Sequence, residues 1–239
     1  MSSTQKASTT TTFGAEYGHP EFLLEYNEEQ VSATALALLE RKLTTAVRAG
    51  VEIKEDGFLP VGIMICRTRF EAGRWVLLEP DMVSTPMQFV RSVTTTALFL
   101  AQQESVLGSL GRRRGVVADS PLMLDSALIC TEIDHGLGVL ERQKSNLRDT
   151  GWFVGCDRIG HDHNDPNSLL RVSVYDLVRR VPAVVPYLPL WAGTTIRFAG
   201  KSARSMIFDP ALQIELKSGS PLDVAGFIVS NSDERTIPS

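Results

Sequence analysis

The sequence predicts an α+β protein made of two small lobes, each an antiparallel sheet packed with helices. Three observations support this class. An amphipathic helix pattern begins near residue 27, a β-hairpin pattern follows at 61–78, and short strand-like runs dominate after residue 121. The 239 residues are 43% hydrophobic and 22% charged, which is enough apolar material for one large core or two small ones.

The first strong element is a helix that follows Asn27. Asn27 can cap the helix, and Gln30, three residues later, has the spacing of a capping box. Gly50 is well placed to end the helix. The apolar residues at three- to four-residue spacing, which predict one buried helix face, are Val31, Ala35, Leu38, Leu39 and Ala46.

A hairpin and a second helix complete the first lobe. Residues 61–78 are rich in strand-forming side chains on both sides of a turn at Gly73. Pro86 then predicts the start of a long helix, with Thr85 as its cap and Gly111 near its end.

Strands dominate the second half of the chain. The tripeptide Asp-His-Gly at 134–136 indicates a tight turn between the first two of them. A short helix is predicted before Pro182. The predicted strands are 126–133, 137–143, 149–157 and 194–200.

These elements give a domain organisation of four segments. Residues 1–19 are rich in Ser and Thr and predict a disordered lead-in, and residues 20–111 form an N-terminal α+β lobe. Glycine, charge and proline at 112–121 indicate a linker. Residues 122–239 form the C-terminal α+β domain.

Composition argues against several classes of protein. The net charge is −4, and each half carries −2, so neither half is a basic nucleic-acid platform. The run Arg112–Arg114 is interpreted as a solvated loop. No stretch approaches the roughly 20 apolar residues of a membrane-spanning helix, and nothing marks a secretory signal. The three cysteines, an odd number without C-x-x-C spacing, predict a reducing compartment and therefore a cytoplasmic protein.

The polar loop after residue 157 raises the possibility of a metal site. His161 and His163 are two residues apart and, with Asp165, would face one side of an extended strand. However, Gly160 and the Asn-Asp-Pro-Asn run at 164–167 favour a turn, and the spacing matches no helical metal motif. We therefore predict no metal and no cofactor. The rest of a catalytic site is also missing from the sequence, which has no G-x-S-x-G elbow and no P-loop, so we predict a protein that is not an enzyme.

Residues 125–200 resemble the C-terminal domain of the immunity protein 33 family of bacterial polymorphic-toxin and secretion systems. Thr150 departs from the family pattern, which has serine there. The residues that carry the resemblance are Asp149, Gly151 and Trp152; Asp157, Asp162 and Asp165; Pro166 and Asn167; Val174, Tyr175 and Leu177; Pro182, Pro186, Tyr187 and Leu188; and Gly193 and Thr194.

The resemblance implies a non-catalytic immunity protein that binds and neutralises a cognate bacterial toxin in the cell that makes both, as a monomer or homodimer. An acidic loop can complement a basic toxin surface, whereas Trp152 is interpreted as a core residue. Two alternatives stay open: a metal-dependent hydrolase using His161, His163 and Asp165, and an adaptor that escorts a secreted effector. The predicted partner-binding residues are Asp149, Asp157, His161, Asp162, His163, Asn164 and Asp165.

Overall fold

A computed structural model describes residues 6–111, 120–145, 149–200 and 202–232. The chain divides into two compact units, Met1–Gln102 and Gln103–Ser239. Residues 112–119 of the predicted linker lie outside the described residues. The α+β class predicted from the sequence is confirmed, although the sheets are mixed and not purely antiparallel.

The first unit contains a sheet with the strand order β1-β2-β5-β4-β3, and β6 also pairs with β5. The pair β2–β5 is parallel, and the other pairs of this sheet are antiparallel. The strands are β1 (Lys6–Thr10), β2 (Phe22–Asn27), β3 (Phe58–Val61), β4 (Met64–Glu71), β5 (Arg74–Pro80) and β6 (Phe89–Val90); the helices are α1 (Gly14–Tyr17), α2 (Ala33–Arg48) and α3 (Thr94–Ser109), of which the residues from Gln103 onward belong to the second unit.

Two expectations for this unit are confirmed in outline and corrected in detail. The hairpin exists as β4 and β5, with its turn at Ala72 and Gly73. Helix α2 buries Ala35, Leu39 and Leu43 on one face. Its cap is Ser32, which accepts a hydrogen bond from the Ala35 amide, and not Asn27, which ends β2.

Helix α3 begins at Thr94, eight residues after the predicted start at Pro86. The Glu79 side chain on β5 explains this start, because its carboxylate accepts hydrogen bonds from the amides of Thr95 (3.1 Å) and Thr96 (2.7 Å). A carboxylate at this end also complements the helix dipole. The tertiary contact with Glu79 therefore decides where α3 begins.

The N-terminal segment also differs from expectation. Strand β1 and helix α1 lie within residues 1–19, which the sequence predicted to be a disordered lead-in. Strand β1 pairs along its whole length with β2, from Lys6 opposite Asn27 to Thr10 opposite Leu23. Pairing with β2 therefore keeps this segment folded, although its Ser- and Thr-rich composition predicted disorder.

The second unit contains a mixed sheet with the strand order β11-β8-β10-β9-β12-β13-β15, and a short separate pair, β14 with β7. Short 3-10 helices of this unit include Ile133–His135, Pro166–Ser168 and Pro182–Tyr187. The strands are β7 (Leu110–Gly111), β8 (Ser126–Cys130), β9 (Leu137–Arg142), β10 (Asp149–Cys156), β11 (Leu169–Ser173), β12 (Thr194–Ala199), β13 (Ser202–Phe208), β14 (Glu215–Leu216) and β15 (Ile228–Asn231); the helices are α4 (Val174–Arg180) and α5 (Pro221–Val224).

The strand order corrects the expected hairpin across Asp-His-Gly. Strands β8 and β9 are not neighbours, because β10 lies between them, parallel to β8 and antiparallel to β9. The turn residues instead form the 3-10 helix Ile133–His135. The side chains of Ile129, Leu140, Trp152 and Ile196 are almost fully buried, so the core of this unit lies against the middle of the sheet.

None of the helices among the described residues is both long enough and apolar enough to span a membrane.

Candidate functional site

Four side chains with metal-ligating atoms meet at one end of the second sheet. They are Cys130 at the end of β8, Cys156 at the end of β10, and His161 and His163 in the following loop. The two sulfur atoms and one nitrogen from each imidazole all lie within 4.8 Å of one another. We call these four residues the Cys2His2 cluster.

The parallel pairing of β8 and β10 brings the two cysteines together. Ile129 pairs with Val154, so the last residues of both strands reach the same edge of the sheet. The register between β10 and β9 shifts between Gly155 and Cys156. Such a bulge turns a side chain out of the regular alternation of a strand. Here it lies directly before Cys156, whose side chain points toward that of Cys130.

Strand β9 leaves room for this bulge because it carries a glycine opposite. A Cβ atom on Gly138 would lie 2.4 Å from the carbonyl oxygen of Cys156, which is closer than atoms can approach. Only a residue without a side chain lets β9 pass so near the backbone of Cys156. The position of Cys156 therefore depends on Gly138.

Each histidine lies against one of the cysteines. His161 Nε2 is 3.1 Å from Cys130 Sγ, and His163 Nε2 is 3.4 Å from Cys156 Sγ. The two imidazole rings meet edge to face with their centroids 5.0 Å apart. The His163 ring also contacts the edge of Phe153, at 5.5 Å between centroids. Both rings are therefore held in place by packing on one side.

A backbone amide donates to one of the two sulfur atoms. The amide of Glu132, two residues after Cys130, lies 3.3 Å from Cys130 Sγ. The amide of Arg158, two residues after Cys156, favours the charged form of that thiol and lowers its pKa. Amide hydrogen bonds of this kind stabilise negative charge on sulfur and orient it.

The surroundings affect the titration of two members of the cluster. Burial raises the pKa of the Cys156 thiol. Neighbouring Cys130 raises this pKa further, whereas the Arg158 amide lowers it. Burial, together with the charge of His161, lowers the pKa of His163. A neutral His163 imidazole keeps a lone pair on one ring nitrogen, which is the form that binds a metal.

Hydrogen bonds fix the loop that carries the histidines at both of its ends. At the start, Arg158 makes an ion pair with Glu132 at 2.7 Å. At the end, the Thr131 amide donates to the Ser168 carbonyl at 2.9 Å. Because Thr131 directly follows Cys130, the end of the loop is held beside the cluster.

The carboxylates of the loop form turns. Asp162 accepts a hydrogen bond from the Asn164 amide at 2.8 Å. Asp165 accepts from both the amide and the side chain of Asn167, each at 2.9 Å, and caps the 3-10 helix Pro166–Ser168. The turn predicted at 164–167 therefore agrees with the geometry, whereas the turn at Asp162 was not predicted. Asp165 does not join the histidines.

The surface around the cluster is acidic. Segments 131–136 and 157–168 together carry five carboxylates and one guanidinium, that of Arg158. Asp157 and Asp162 are exposed, and Ile159 between them is 99% exposed. We call these two segments the acidic surface. Within these two segments, Ile159 is an exposed large apolar side chain, and exposed carboxylates precede and follow it in the sequence.

Asp149 lies apart from the other predicted partner-binding residues. It begins β10, whereas Asp157 follows the end of that strand, and an eight-residue strand spans roughly 23 Å. Its carboxylate bonds to Arg171 at 2.6 Å and to the Gly151 amide at 2.9 Å. Burial raises the pKa of Asp149, but these hydrogen bonds and the Arg171 charge outweigh it and lower the pKa below its ordinary value.

The aromatic positions of the resemblance are buried inside the unit. The Trp152 indole, 1% exposed, donates to the Leu188 carbonyl at 3.0 Å, which agrees with its interpretation as a core residue. The buried Arg142 guanidinium donates to the carbonyls of Thr150 and Leu190. The Gly193 amide donates to the Arg142 carbonyl at 2.6 Å. The aromatic positions therefore hold the fold together and present little surface to a partner.

Comparison with known families identifies this segment. Residues 125–209 match the family model of the Imm33-like domain. The match confirms the predicted resemblance to the immunity protein 33 family and extends it by nine residues beyond the predicted end at 200. The Imm33-like segment runs from the start of β8 to the end of β13 and so contains the whole Cys2His2 cluster. Searches of curated proteins and of solved structures find no match.

The sequence interpretation found the two histidines and missed the two cysteines. The spacing of Cys156 five residues before His161 was a local signal for a shared site. Cys130 gave no such signal, because its position depends on the parallel pairing of strands 19 residues apart in sequence, from Cys130 to Asp149.

Proposed function

We propose that this protein is an immunity protein, which binds a bacterial toxin domain through the acidic surface and blocks its activity. The observation that supports this function most directly is the match of residues 125–209 to the Imm33-like domain. The geometry supports the acidic surface as the contact, because Asp157 and Asp162 are exposed there, whereas the aromatic motif positions of the domain are buried.

Charge and shape support a basic protein surface as the partner. Asp157 and Asp162 are exposed on either side of Ile159, whose side chain is fully open to solvent. Binding sites between proteins combine a desolvated apolar centre with a polar rim. The excess of carboxylates would steer a basic partner toward this surface and raise the association rate. Ile159 would then become buried in the complex.

The same geometry supports a role without hydrolysis for the histidines. Asp165, the third residue of the alternative hydrolase site, is occupied by the turn at Asn167. His161 and His163 instead approach two sulfur atoms. The arrangement therefore supports a folded scaffold for the acidic surface better than it supports an activated water.

The proposal is tested by co-expression of the chain with the toxin gene that neighbours its own gene, followed by pull-down. We expect the wild-type chain to protect the cells and to form a stable complex. The variant Ile159→Asp should lose both, since it places a charge at the apolar centre. The matched control is Val83→Asp, at an exposed apolar residue of the first unit.

Three results would contradict parts of the proposal. Absence of both protection and complex would remove the immunity function. Binding without protection would indicate the escorting role instead. Full protection by Ile159→Asp would show that the toxin contacts another surface.

A further inference from the structure

We propose that Cys130, Cys156, His161 and His163 bind one zinc ion in a closed, structural site. The inference is independent of the proposed function, because it rests only on the arrangement of these four side chains. Two cysteines and two histidines are one of the ligand sets that zinc takes in structural sites.

The distances within the cluster suit a tetrahedral ion. With bonds of about 2.3 Å to sulfur and about 2.0–2.1 Å to nitrogen, neighbouring ligand atoms of a tetrahedral zinc lie about 3.3–3.8 Å apart. The two sulfur–nitrogen distances in the cluster are 3.1 and 3.4 Å, and no pair of ligand atoms exceeds 4.8 Å. Binding an ion would therefore require the most distant ligand atoms to approach one another by at most about 1.5 Å.

The ligand types select the metal. Thiolate with imidazole favours zinc, whereas magnesium and calcium prefer oxygen ligands. Carboxylates are close by in sequence, but Asp162 and Asp165 accept hydrogen bonds from the turn amides of Asn164 and Asn167. The sulfur and nitrogen atoms are therefore the donors that face the centre of the cluster.

Burial and backbone contacts support a site built for an ion. The two cysteines are 1% and 5% exposed, so a thiolate here would be unstable without a cation. The Cys130 sulfur also accepts a hydrogen bond from the backbone amide of Glu132. Such outer contacts orient thiolate ligands and offset their charge.

A disulfide explains the cluster less well. It would join Cys130 to Cys156 and give no role to the histidine nitrogens that lie against each sulfur. A catalytic zinc also fits poorly, because catalytic sites keep one coordination position for water. Four protein ligands fill a tetrahedral ion and leave no such position.

An ion at this place would fasten the acidic surface to the sheet. Two ligands end neighbouring strands, and the other two belong to the loop between Arg158 and Ser168. The loop is otherwise held by the ion pair of Arg158 with Glu132 and by turn hydrogen bonds. Zinc would thus order the exposed residues Asp157, Ile159 and Asp162.

The test uses the full chain, purified under reducing conditions from cells grown with added zinc. We expect about one zinc per chain by elemental analysis. After chelation, added Co2+ should produce the strong visible absorption of a tetrahedral ion together with thiolate-to-cobalt charge-transfer bands. Excess zinc should raise the melting temperature of the metal-free chain by about 5–10 °C.

Thiol labelling gives an independent readout, with Cys66 as an internal reference. Burial raises the pKa of Cys66 to about 12, so this thiol should stay unreactive in the folded protein. Cys130 and Cys156 should be protected with zinc bound. They should become labelled after chelation, because the loop that carries His161 and His163 then loses its metal ligands and can open away from the two sulfur atoms. Mass mapping of the labelled peptides identifies which thiols have reacted.

Variants at the cluster and outside it complete the test. His163→Gln changes a partly exposed ligand and should weaken zinc binding on the order of 100-fold. Cys156→Ser should abolish the charge-transfer bands from its own sulfur. The matched controls are His135→Gln, at a histidine with a 60% exposed side chain, and Cys66→Ala; both should bind zinc and Co2+ as the wild type does.

Circular dichroism separates lost ligands from lost folding, and His163→Gln is the variant expected to keep its fold. The proposal would be overturned by a folded wild-type chain that retains no zinc and gives no charge-transfer band with Co2+. A Cys130–Cys156 disulfide in the protein purified under reducing conditions would also overturn it, as would unchanged zinc affinity in His163→Gln.

Discussion

The indole nitrogen of Trp152 donates a hydrogen bond to the carbonyl oxygen of Leu188, 36 residues later, at 3.0 Å. We expect Trp152→Phe to destabilise the protein more than Trp191→Phe. Both indoles are buried, but Trp191 Nε1 has no hydrogen-bond partner among the described residues. Trp152→Phe should lose about 1 kcal/mol more of the free energy of unfolding than Trp191→Phe, which is the net contribution of one hydrogen bond. Urea unfolding of both variants measures it, and equal losses would contradict the role of this bond.

Gly138→Ala should destabilise the second unit, because the new Cβ atom would collide with the Cys156 carbonyl at 2.4 Å. We expect a loss of about 1–3 kcal/mol, typical of overpacking. The matched control is Gly108→Ala in α3, where a Cβ atom meets nothing within 4 Å. Since alanine favours a helix over glycine, the control should be stabilised by up to about 1 kcal/mol. Thermal and urea unfolding measure both variants, and a neutral Gly138→Ala would contradict the close approach.

The ion pair of Asp149 with Arg171 should make stability depend on acidic pH. The folded-state pKa of Asp149 lies below its ordinary value of 3.8. A lowered pKa means that the stabilising contribution is fully present above about pH 4 and is lost as the pH falls through the folded-state pKa. Asp149→Asn should therefore cost up to about 1 kcal/mol at pH 7 and progressively less as the pH falls below about 4.

Urea midpoints measured from pH 2 to pH 7 test this prediction. Arg171→Gln should show a similar loss at neutral pH, because it removes the other half of the pair. Glu28→Gln, at an exposed carboxylate of the first unit, is the control and should match the wild type throughout. A difference between Asp149→Asn and the wild type that persists unchanged to pH 2 would contradict the assignment.

Toxin association should slow as salt concentration rises, since the acidic surface would attract a basic partner. Replacing both Asp157 and Asp162 with asparagine should lower the association rate by about tenfold at low salt and flatten its salt dependence. The control Glu28→Gln with Glu29→Gln removes the same charge from the first unit. Stopped-flow binding measures the rates, and equal effects of both pairs would indicate general charge and not a local contact.

Local patterns in the sequence predicted the elements that depend on neighbouring residues. The apolar spacing of α2 and the strand–turn–strand pattern of β4 and β5 were sufficient, because helix and hairpin periodicity is set within a few residues. The turn at Asp165 followed from the same short-range chemistry. The match of residues 125–209 to the Imm33-like domain likewise followed from ordered local motifs.

Features that depend on distant partners were missed. The start of α3 is set by Glu79, and the order of β1 is set by its pairing with β2. Cys130 joins the histidines because β8 pairs in parallel with β10, whereas the Asp-His-Gly turn indicated pairing of β8 with β9. Hydrophobic patterning identifies strands, but their order in a sheet follows from contacts that no local pattern encodes.

The placement of β8 has a consequence for the growing chain during synthesis. Its neighbours β10 and β11 begin at Asp149 and Leu169, so β8 cannot pair until these later residues have been synthesised. A nascent chain that ends at Arg142 exposes Ile129 and its neighbours along two unpaired strand edges. Such edges invite pairing with other chains. We expect a fragment truncated after Arg142 to aggregate, whereas one that extends past β11 gives β8 both of its partners.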